Sequence, residues 1–485
     1  MNILVLDVGT SSMRGTLLDE CARTRFAAQV RYHPDFLENG WAEQDPADWE
    51  SAMIRLCREA AEQEQVDAVA ITSQRSSVIP VDRAGRPLRP AIMWQDTRNR
   101  ALCEQLKSEN DWVFRRCGSR INTVYSGGKM AWFRRNEPDL HAKTWKLLVI
   151  PDYLIHRMTG EYRTDHTYAS RSLLMDLEHR RWDGQLLELF GIPEEKLCDL
   201  VEPGSIIGSV TGEFGRLTGL RSGTPVVTCG GDQQCGAMGQ GVFAPGSAAV
   251  NTGTGAYLLS VVERIPADLK QDVVCNAAAV PGAYILESSV LTCCSALDWL
   301  TDTVYGGFDY AELDGELAKS PPGAGGVVCL PYFQGRGAPD WNSGARGAFY
   351  GVSLGTGRAD LLRALLEGVC CEISGHIGRM EAYLPIDSVT AAGGMTRSAA
   401  LNQMQADIYE KPVRLCDETE ATTRGAWMNA AAALGVCGSL SETWKLAGRE
   451  GTVCLTDREK QTCYRALKEK QARLYESAWR ADEFK

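Results

Sequence analysis

Two stretches far apart in this chain share one pattern. "ILVLDVGTSSMRGTLLDE" begins at Ile3 and "GSAAVNTGTGAYLLSVV" begins at Gly246; each is an apolar run, a tip of small polar residues and a second apolar run. Apolar runs around a Gly/Ser/Thr tip predict a β-hairpin. The two hairpins open the two halves of a 485-residue chain, which is too long for a single compact core. Two related domains are therefore expected, at 1–243 and 244–485. No linker rich in Pro or Ser separates them, so they should meet closely around a cleft.

Between the hairpins, strand-like and helical patterns alternate. "VDAVAITSQ", "VVCLPYF" and "DSVTAAGG" read as strands. "DPADWESAMIRLCREAAEQEQ" reads as a helix with Asp45 or Asp48 at its N-terminus. Residues 358–384 form a long helical pattern, with shorter ones at 398–410 and 424–437. A charged amphipathic helix over 457–484 is expected on the surface. Alternation of this kind argues for α/β layers.

Composition narrows the range of partners. Lys and Arg total 51 against 62 Asp and Glu, a net charge of −11. So acidic a chain is poorly suited to nucleic acid or an anionic membrane. No apolar run reaches the roughly 18 residues a span needs. The N-terminus has no basic segment and its apolar run is broken at Asp7, unlike a signal peptide, so a cytoplasmic protein is expected. The 17 Cys are scattered without a CxxC and predict reduced, mostly buried thiols.

Four segments carry residues suited to chemistry. At the first tip, Asp7 ends a strand and Gly9, Thr10, Ser11, Ser12 and Arg14 follow. Small residues let backbone N–H groups approach an anion, and the hydroxyls add donors. A carboxylate there suits a metal-bound water. The second tip, Gly253, Thr254 and Gly255, offers the same cradle, and a nucleotide held between two domains needs one loop from each. In "AAGGMTRSAALNQMQADI", Gly393 and Gly394 lie between a strand and a helix, which also suits a nucleotide. "TSQRSSVIPVD" and "AIMWQDTRNR" bring Gln74, Arg75, Trp94, Gln95, Asp96 and Arg98, polar groups with an aromatic wall that fit a polyhydroxylated ligand.

A further segment is "VVTCGGDQQCGAMGQGV". Asp232 follows a strand and precedes a Gly-rich stretch beside the expected domain join. A turn would explain an Asp there. So would phosphoryl transfer, which needs a base for the acceptor hydroxyl proton. The position at an interdomain cleft favours the base.

Taken together, "DVGTSSMR", "GWAEQDPADWE", "WQDTR", "KMAWFRRNEP" around Lys129 and Trp132, "GGDQQ", "GTGAYLL", residues 347–367 and "GGMTRSAALNQMQADI" resemble the FGGY carbohydrate kinases, in family order and over nearly the whole chain. The resemblance implies two actin-like ATPase (ribonuclease H-like) domains and ATP-dependent phosphorylation of a sugar or polyol hydroxyl, with Mg²⁺. It implies Asp232 as general base and Asp7, Thr10 and Ser11 near the transferred phosphate and metal, with Asp7 acting through water and Asp232 also a metal ligand. Thr254 and Gly394, with Ser398 where glycerol kinases often have Asn, fall on the nucleotide site. Arg75, Ser76, Trp94, Asp96 and Gln233 fall on or beside the substrate pocket. The first domain is then the sugar-binding one and the second the nucleotide-binding one.

The substrate expectation rests on "SQRSS". Glycerol kinases carry Gln-Arg-Glu there, and Ser76 replaces the acid; Val124 replaces a glycerol-contacting Tyr, with Tyr125 one position off. Each lost hydroxyl contact could weaken glycerol by about 1–2 kcal/mol. Xylulose kinases usually carry Gln-Met-His, from which Arg75-Ser76 also departs. A ketopentose such as xylulose is the leading expectation, with glycerol or a tetritol second. A non-catalytic sugar sensor of the same fold is the remote alternative, and it would have no need of Asp232 and both phosphate loops. A homodimer is compatible with this reading.

Overall fold

The computed structural model describes residues 1–416, 420–448 and 451–479. Both expected hairpins form. In the first half, β1 (Ile3–Val8) turns into β2 (Ser12–Leu18), which pairs with β3 (Thr24–Arg31). Helix α1 (Pro46–Gln63) then crosses over to β4 (Ala68–Ser73), which lies parallel to β1. On the far side of β4 lies the parallel β6 (Pro225–Gly231), edged by the antiparallel β5 (Ser205–Ser209). The sheet order is β5-β6-β4-β1-β2-β3.

The second half repeats this plan. Strand β7 (Gly246–Thr252) turns into β8 (Ala256–Val262), and β9 (Val274–Ala277) and β10 (Tyr284–Val290) extend that side. The 24-residue α2 (Arg358–Glu381) crosses to β11 (Ile386–Gly393), parallel to β7. Helix α3 (Ala399–Tyr409) leads to β12 (Val413–Leu415), and β13 (Val453–Cys454) closes the edge. The order is β9-β10-β8-β7-β11-β12-β13, the first sheet's hairpin-plus-parallel scheme again.

Local chemistry explains these elements. Asp45 caps α1, accepting from Ala47 N at 2.9 Å, and Pro46 occupies the first turn where a missing N–H does no harm. Trp49, Ala52, Met53, Leu56, Cys57 and Ala60 recur at helical spacing and are buried. That face seats on the first sheet where Gly15 of β2 lets Leu56 approach; a Cβ there would lie 3.1 Å from the Leu56 Cβ. The run "VVCLPYF" yields only the short strand Val328–Leu330. The C-terminal helix spans Arg458–Trp479 among the described residues and is not purely a surface element: Tyr464, Leu467, Gln471 and Tyr475 are buried. No described helix is long and apolar enough to cross a membrane.

One helix crosses between the halves. The segment 424–437 belongs to a helix, Ala421–Ala433, that leaves the second sheet and packs on the first. Its Ala426, Trp427, Met428, Ala430 and Ala431 share a core with Ile3, Val5, Ala68, Ala70, Val227 and Cys229. It also meets the helix Asp232–Gly239 backbone to backbone. A Cβ on Gly239 would lie 1.8 Å from the Ala421 carbonyl oxygen, and one on Gly425 1.9 Å from that of Cys235.

Candidate active site

Parallel pairing levels the ends of the strands. Val8 of β1 and Gly231 of β6 both stand opposite Ser73 of β4. Asp7, Gln74 and Asp232 therefore emerge at one edge of the first sheet. In the second sheet Thr252 of β7 stands opposite Gly393 of β11, so the second tip and the Gly394 turn also share an edge. Ligands of open α/β sheets bind beyond such carboxyl ends.

The first tip is braced from several sides. Gly9 O accepts from Tyr32 Oη at 2.9 Å and Gln74 Nε2 at 3.0 Å. Trp94 Nε1 donates to Thr10 Oγ1 at 3.1 Å, and Gln29 Nε2 to Ser12 Oγ at 2.7 Å. Ser11 is exposed, and Arg14 faces Asp7 across the hairpin. At the second tip Gly253 and Thr254 are exposed, and Thr254 O accepts from Ser295 Oγ at 2.8 Å. Gly255 could not carry a side chain, since a Cβ would meet Val290 O at 2.5 Å. Thr252 Oγ1 donates to Ala392 O at 2.9 Å and accepts from Met395 N at 3.2 Å, tying this tip to the Gly394 turn.

Asp232 opens its helix, and the first sheet's edge surrounds it. Burial pushes its carboxyl above the usual range, opposed first by the Arg75 guanidinium and by a bond from Gln233 N. Asp7 is pushed up to about 7, by burial first and then by the charge of Asp232, with Arg14 opposing. Arg75 Nε lies 3.6 Å from Asp232 Oδ1, while Arg75 Nη1 is 2.7 Å from Glu287 Oε1 and donates to Gln234 Oε1 at 3.1 Å. Glu287 comes from β10 of the second sheet. Its Oε2 also faces Arg171 Nη1 at 3.5 Å, and the Arg171 guanidinium sits 4.6 Å from the Tyr125 ring centre. Burial would raise the Glu287 carboxyl, but Arg75 and Arg171 hold it below the usual range.

Arg75, Arg171, Tyr125, Gln233, Tyr257 and Glu287 line a cavity of about 510 Å³ between the halves. Gln233 Oε1 is buried with no hydrogen-bond donor among the described residues, an acceptor suited to a ligand hydroxyl. A larger groove, about 1040 Å³, runs between Trp112, Asp176, Leu189 and Leu269. Arg75, Gln233 and Glu287 line the smaller cavity and not this groove, so the smaller cavity is the one that adjoins Asp232.

Two of the expected ligand contacts already have partners within the fold. Asp96 is fully buried and turned into the fold. Its Oδ2 accepts from Ala42 N at 2.6 Å and Arg98 Nη2 at 2.8 Å, and its Oδ1 from Arg98 N at 2.8 Å and Nε at 2.9 Å. The Arg98 guanidinium packs against both Trp41, at 4.1 Å, and Trp132, at 4.9 Å, whose rings meet edge to face 5.5 Å apart. Asp96 thus locks three sequence segments together and has no oxygen left for a substrate. Ser398 caps α3, accepting from Leu401 N at 3.0 Å and donating to Asp314, whose carboxylate also takes Ala399 N and Ala400 N at 3.2 Å. An acid already fills that helix end, so Ser398 does not present itself to a nucleotide. Ser76 is buried behind the site, at φ 75°, with its hydroxyl 3.4 Å from Arg171 O. Glu287 and Arg171 were not anticipated. The available signal was a lone acid inside the strand "YILESSV".

Two family models match the chain: the N-terminal domain of the FGGY carbohydrate kinases over residues 2–239 and the C-terminal domain over 248–434. The glycerol kinase of Thermococcus onnurineus (strain NA1) is 32% identical over 482 residues, covering 96% of each chain. Among solved structures, xylulose kinase from Rhodospirillum rubrum superposes with a TM-score of 0.93 at 26% identity, covering 98% of this chain and 99% of the other. Plasmodium falciparum glycerol kinase with ADP gives 0.90 at 27%, covering 98% of each. The folds agree with the actin-like ATPase expectation. With a small-residue hairpin tip at the strand ends of each sheet, Asp232 at the edge of the first, and both domain models matched, this chain belongs to the FGGY family of carbohydrate kinases, ATP-dependent phosphotransferases with an alcohol group as acceptor.

Proposed function

We propose that the chain transfers a phosphoryl group from ATP to one hydroxyl of a small sugar or polyol, with Asp232 as general base. One juxtaposition carries this reading: Arg75 and Gln233 line a 510 Å³ cavity, and Asp232, next to Gln233 in the chain and 3.6 Å from Arg75, adjoins them with Asp7 at the strand ends. An acceptor hydroxyl in the cavity would meet Asp232 as proton acceptor. Arg75 would donate to a neighbouring oxygen, and Gln233 Oε1 would accept from a second hydroxyl. The raised Asp232 carboxyl suits proton abstraction better than a fully solvated one, because its basicity lies nearer neutral pH. The nucleotide phosphates would rest on Thr10, Ser11 and Arg14 from the first half and Gly253, Thr254, Gly255 and Gly394 from the second. Closure of the halves would exclude water.

Asp7 and Asp232 fit a hydrated Mg²⁺. Two partly accessible carboxylates lie close enough for one to raise the other, and Mg²⁺ commonly takes one or two carboxylates and keeps its waters. Among the described residues no cluster of three or more such ligands occurs. When bound there, the ion would neutralise charge on the phosphates.

For the acceptor we favour a ketopentose such as xylulose. Ser76 and Val124 lack two groups that would hold glycerol, and the cavity leaves room beyond a three-carbon chain. Glycerol or a tetritol is the second reading, favoured by the glycerol kinase relatives at 32% identity. A coupled ADP-release assay across ketopentoses, tetritols, pentitols and glycerol decides between them, and a response to glycerol alone overturns the ketopentose. Asp232→Asn should keep binding of acceptor and ATP while losing roughly 10²–10⁴ in turnover. Near-normal turnover in that variant removes Asp232 from the role.

A further inference from the structure

Glu287 is an acid where its strand has no use for one. Across the sheet it stands opposite Leu259 and Val274. Its carboxylate instead leaves the second sheet and enters the first half's pocket, where Arg75 and Arg171 take its two oxygens at 2.7 and 3.5 Å. All three side chains are largely buried, at 11–15% exposure. Arg75 therefore lies between two carboxylates, and the distances show which one holds it: Glu287 at 2.7 Å, Asp232 at 3.6 Å.

That preference matters for the transfer. A guanidinium forms its strongest pairs by docking both N–H groups on one carboxylate. Docked so on Asp232, Arg75 would occupy the lone pairs that must receive the hydroxyl proton. With Glu287 and Gln234 Oε1 both taking Nη1, the fork is turned toward them, and Arg75 comes no nearer to Asp232 than 3.6 Å, from Nε. We propose that Glu287 is a positioning residue for the reaction, reaching from the second half to hold Arg75 off Asp232 and leave that carboxylate open to the acceptor. Because Arg75 and Arg171 belong to the first half, this alignment exists only while the halves are together. The arrangement links domain closure to an available base, and it rests on Asp232 being that base.

The test compares Glu287→Gln, Glu287→Asp, Asp232→Asn and wild type with Mg·ATP and either glycerol or D-xylulose, whichever wild type phosphorylates faster. Glu287→Gln should lose on the order of 10² in kcat, as when a general base is taken out of play, with the acceptor KM within about threefold. Glu287→Asp, which keeps the charge, should recover part of that loss. A crystal structure of Glu287→Gln gives a readout independent of turnover: Arg75 should close on Asp232 to roughly 2.8 Å. Unchanged kcat, or an Arg75–Asp232 separation still near 3.6 Å, overturns the inference. Normal turnover in Asp232→Asn instead overturns the base assignment beneath it, and the two failures are told apart by which variant stays active.

Discussion

Gly425→Ala is a one-methyl change for which two physical effects predict opposite signs. Gly425 lies inside a helix, where Ala is favoured by about 0.8–1.0 kcal/mol. Packing opposes this. The added Cβ would lie 1.9 Å from the Cys235 carbonyl oxygen, and contacts below 3.0 Å essentially do not occur, so the two helices must part by about 1.1 Å. The obstacle is backbone, which cannot rotate away as a side chain would. Overpacking of this kind costs typically 1–3 kcal/mol, and a backbone obstacle belongs at the upper end, so a net destabilisation of about 1–2 kcal/mol is expected. The functional effect should be larger. Cys235 is in the first turn of the helix that Asp232 begins, and a 1 Å misplacement at a reacting group costs on the order of 10²-fold in rate. The assay is ADP release at saturating acceptor alongside thermal unfolding. Gly236→Ala is the control: it lies in the same helix as Asp232, and its added Cβ would meet only Thr422 Oγ1, at 3.5 Å. That variant should keep its rate. Wild-type rate and stability in Gly425→Ala, or equal damage from Gly236→Ala, would refute the close-approach argument.

Two further outcomes test the buried charges. Arg98→Met should destabilise by about 3–5 kcal/mol, because it leaves Asp96 fully buried without its cation; adding Asp96→Asn should recover part of the loss, and an unchanged urea midpoint in the single variant would contradict this. Asp152 gives a pH dependence. Burial pushes its carboxyl from 3.8 up to about 8, so its favourable contribution to stability is fully present below about pH 4 and is lost as pH rises through 8. Asp152→Asn should flatten that decline in a series of unfolding midpoints, and an identical decline in both proteins would rule Asp152 out as its source.

The two hairpins were legible because short-range chemistry determines them: small polar tips between apolar runs leave little else to form. The capped helix at 46–63 was legible for the same reason. Facing direction was not. Asp96 and Asp232 each sit in a polar motif, yet one pairs with Arg98 in a buried cluster with Trp41 and Trp132 and the other lies beside Arg75 at the sheet edge, and only tertiary contacts separate them. Ser398 is an N-cap in a motif that also suits a nucleotide, and the competing acid, Asp314, lies 84 residues away in sequence. The crossing helix at 421–433 left a local trace, a glycine among alanines inside a helical pattern, which is the signature of close backbone approach. What it approaches was not written beside it.

The carboxylates of this chain sort by how well their charge is matched. Asp96 has a guanidinium forked across both oxygens and two backbone N–H groups besides; it is satisfied and sealed from water. Glu287 has two arginines and is held in its charged form. Asp7 and Asp232 are short of cations. Asp232 shares Arg75 with Glu287 at the longer distance, and Asp7 is raised by burial and then by Asp232, with Arg14 as the opposing charge. The role proposed for these two acids, to accept a proton and sit beside phosphates with their counter-ion, needs this shortfall. Fully paired carboxylates would be poor bases and poor metal ligands, and the unmatched pair lies at the strand ends of the first sheet, beside its hairpin tip.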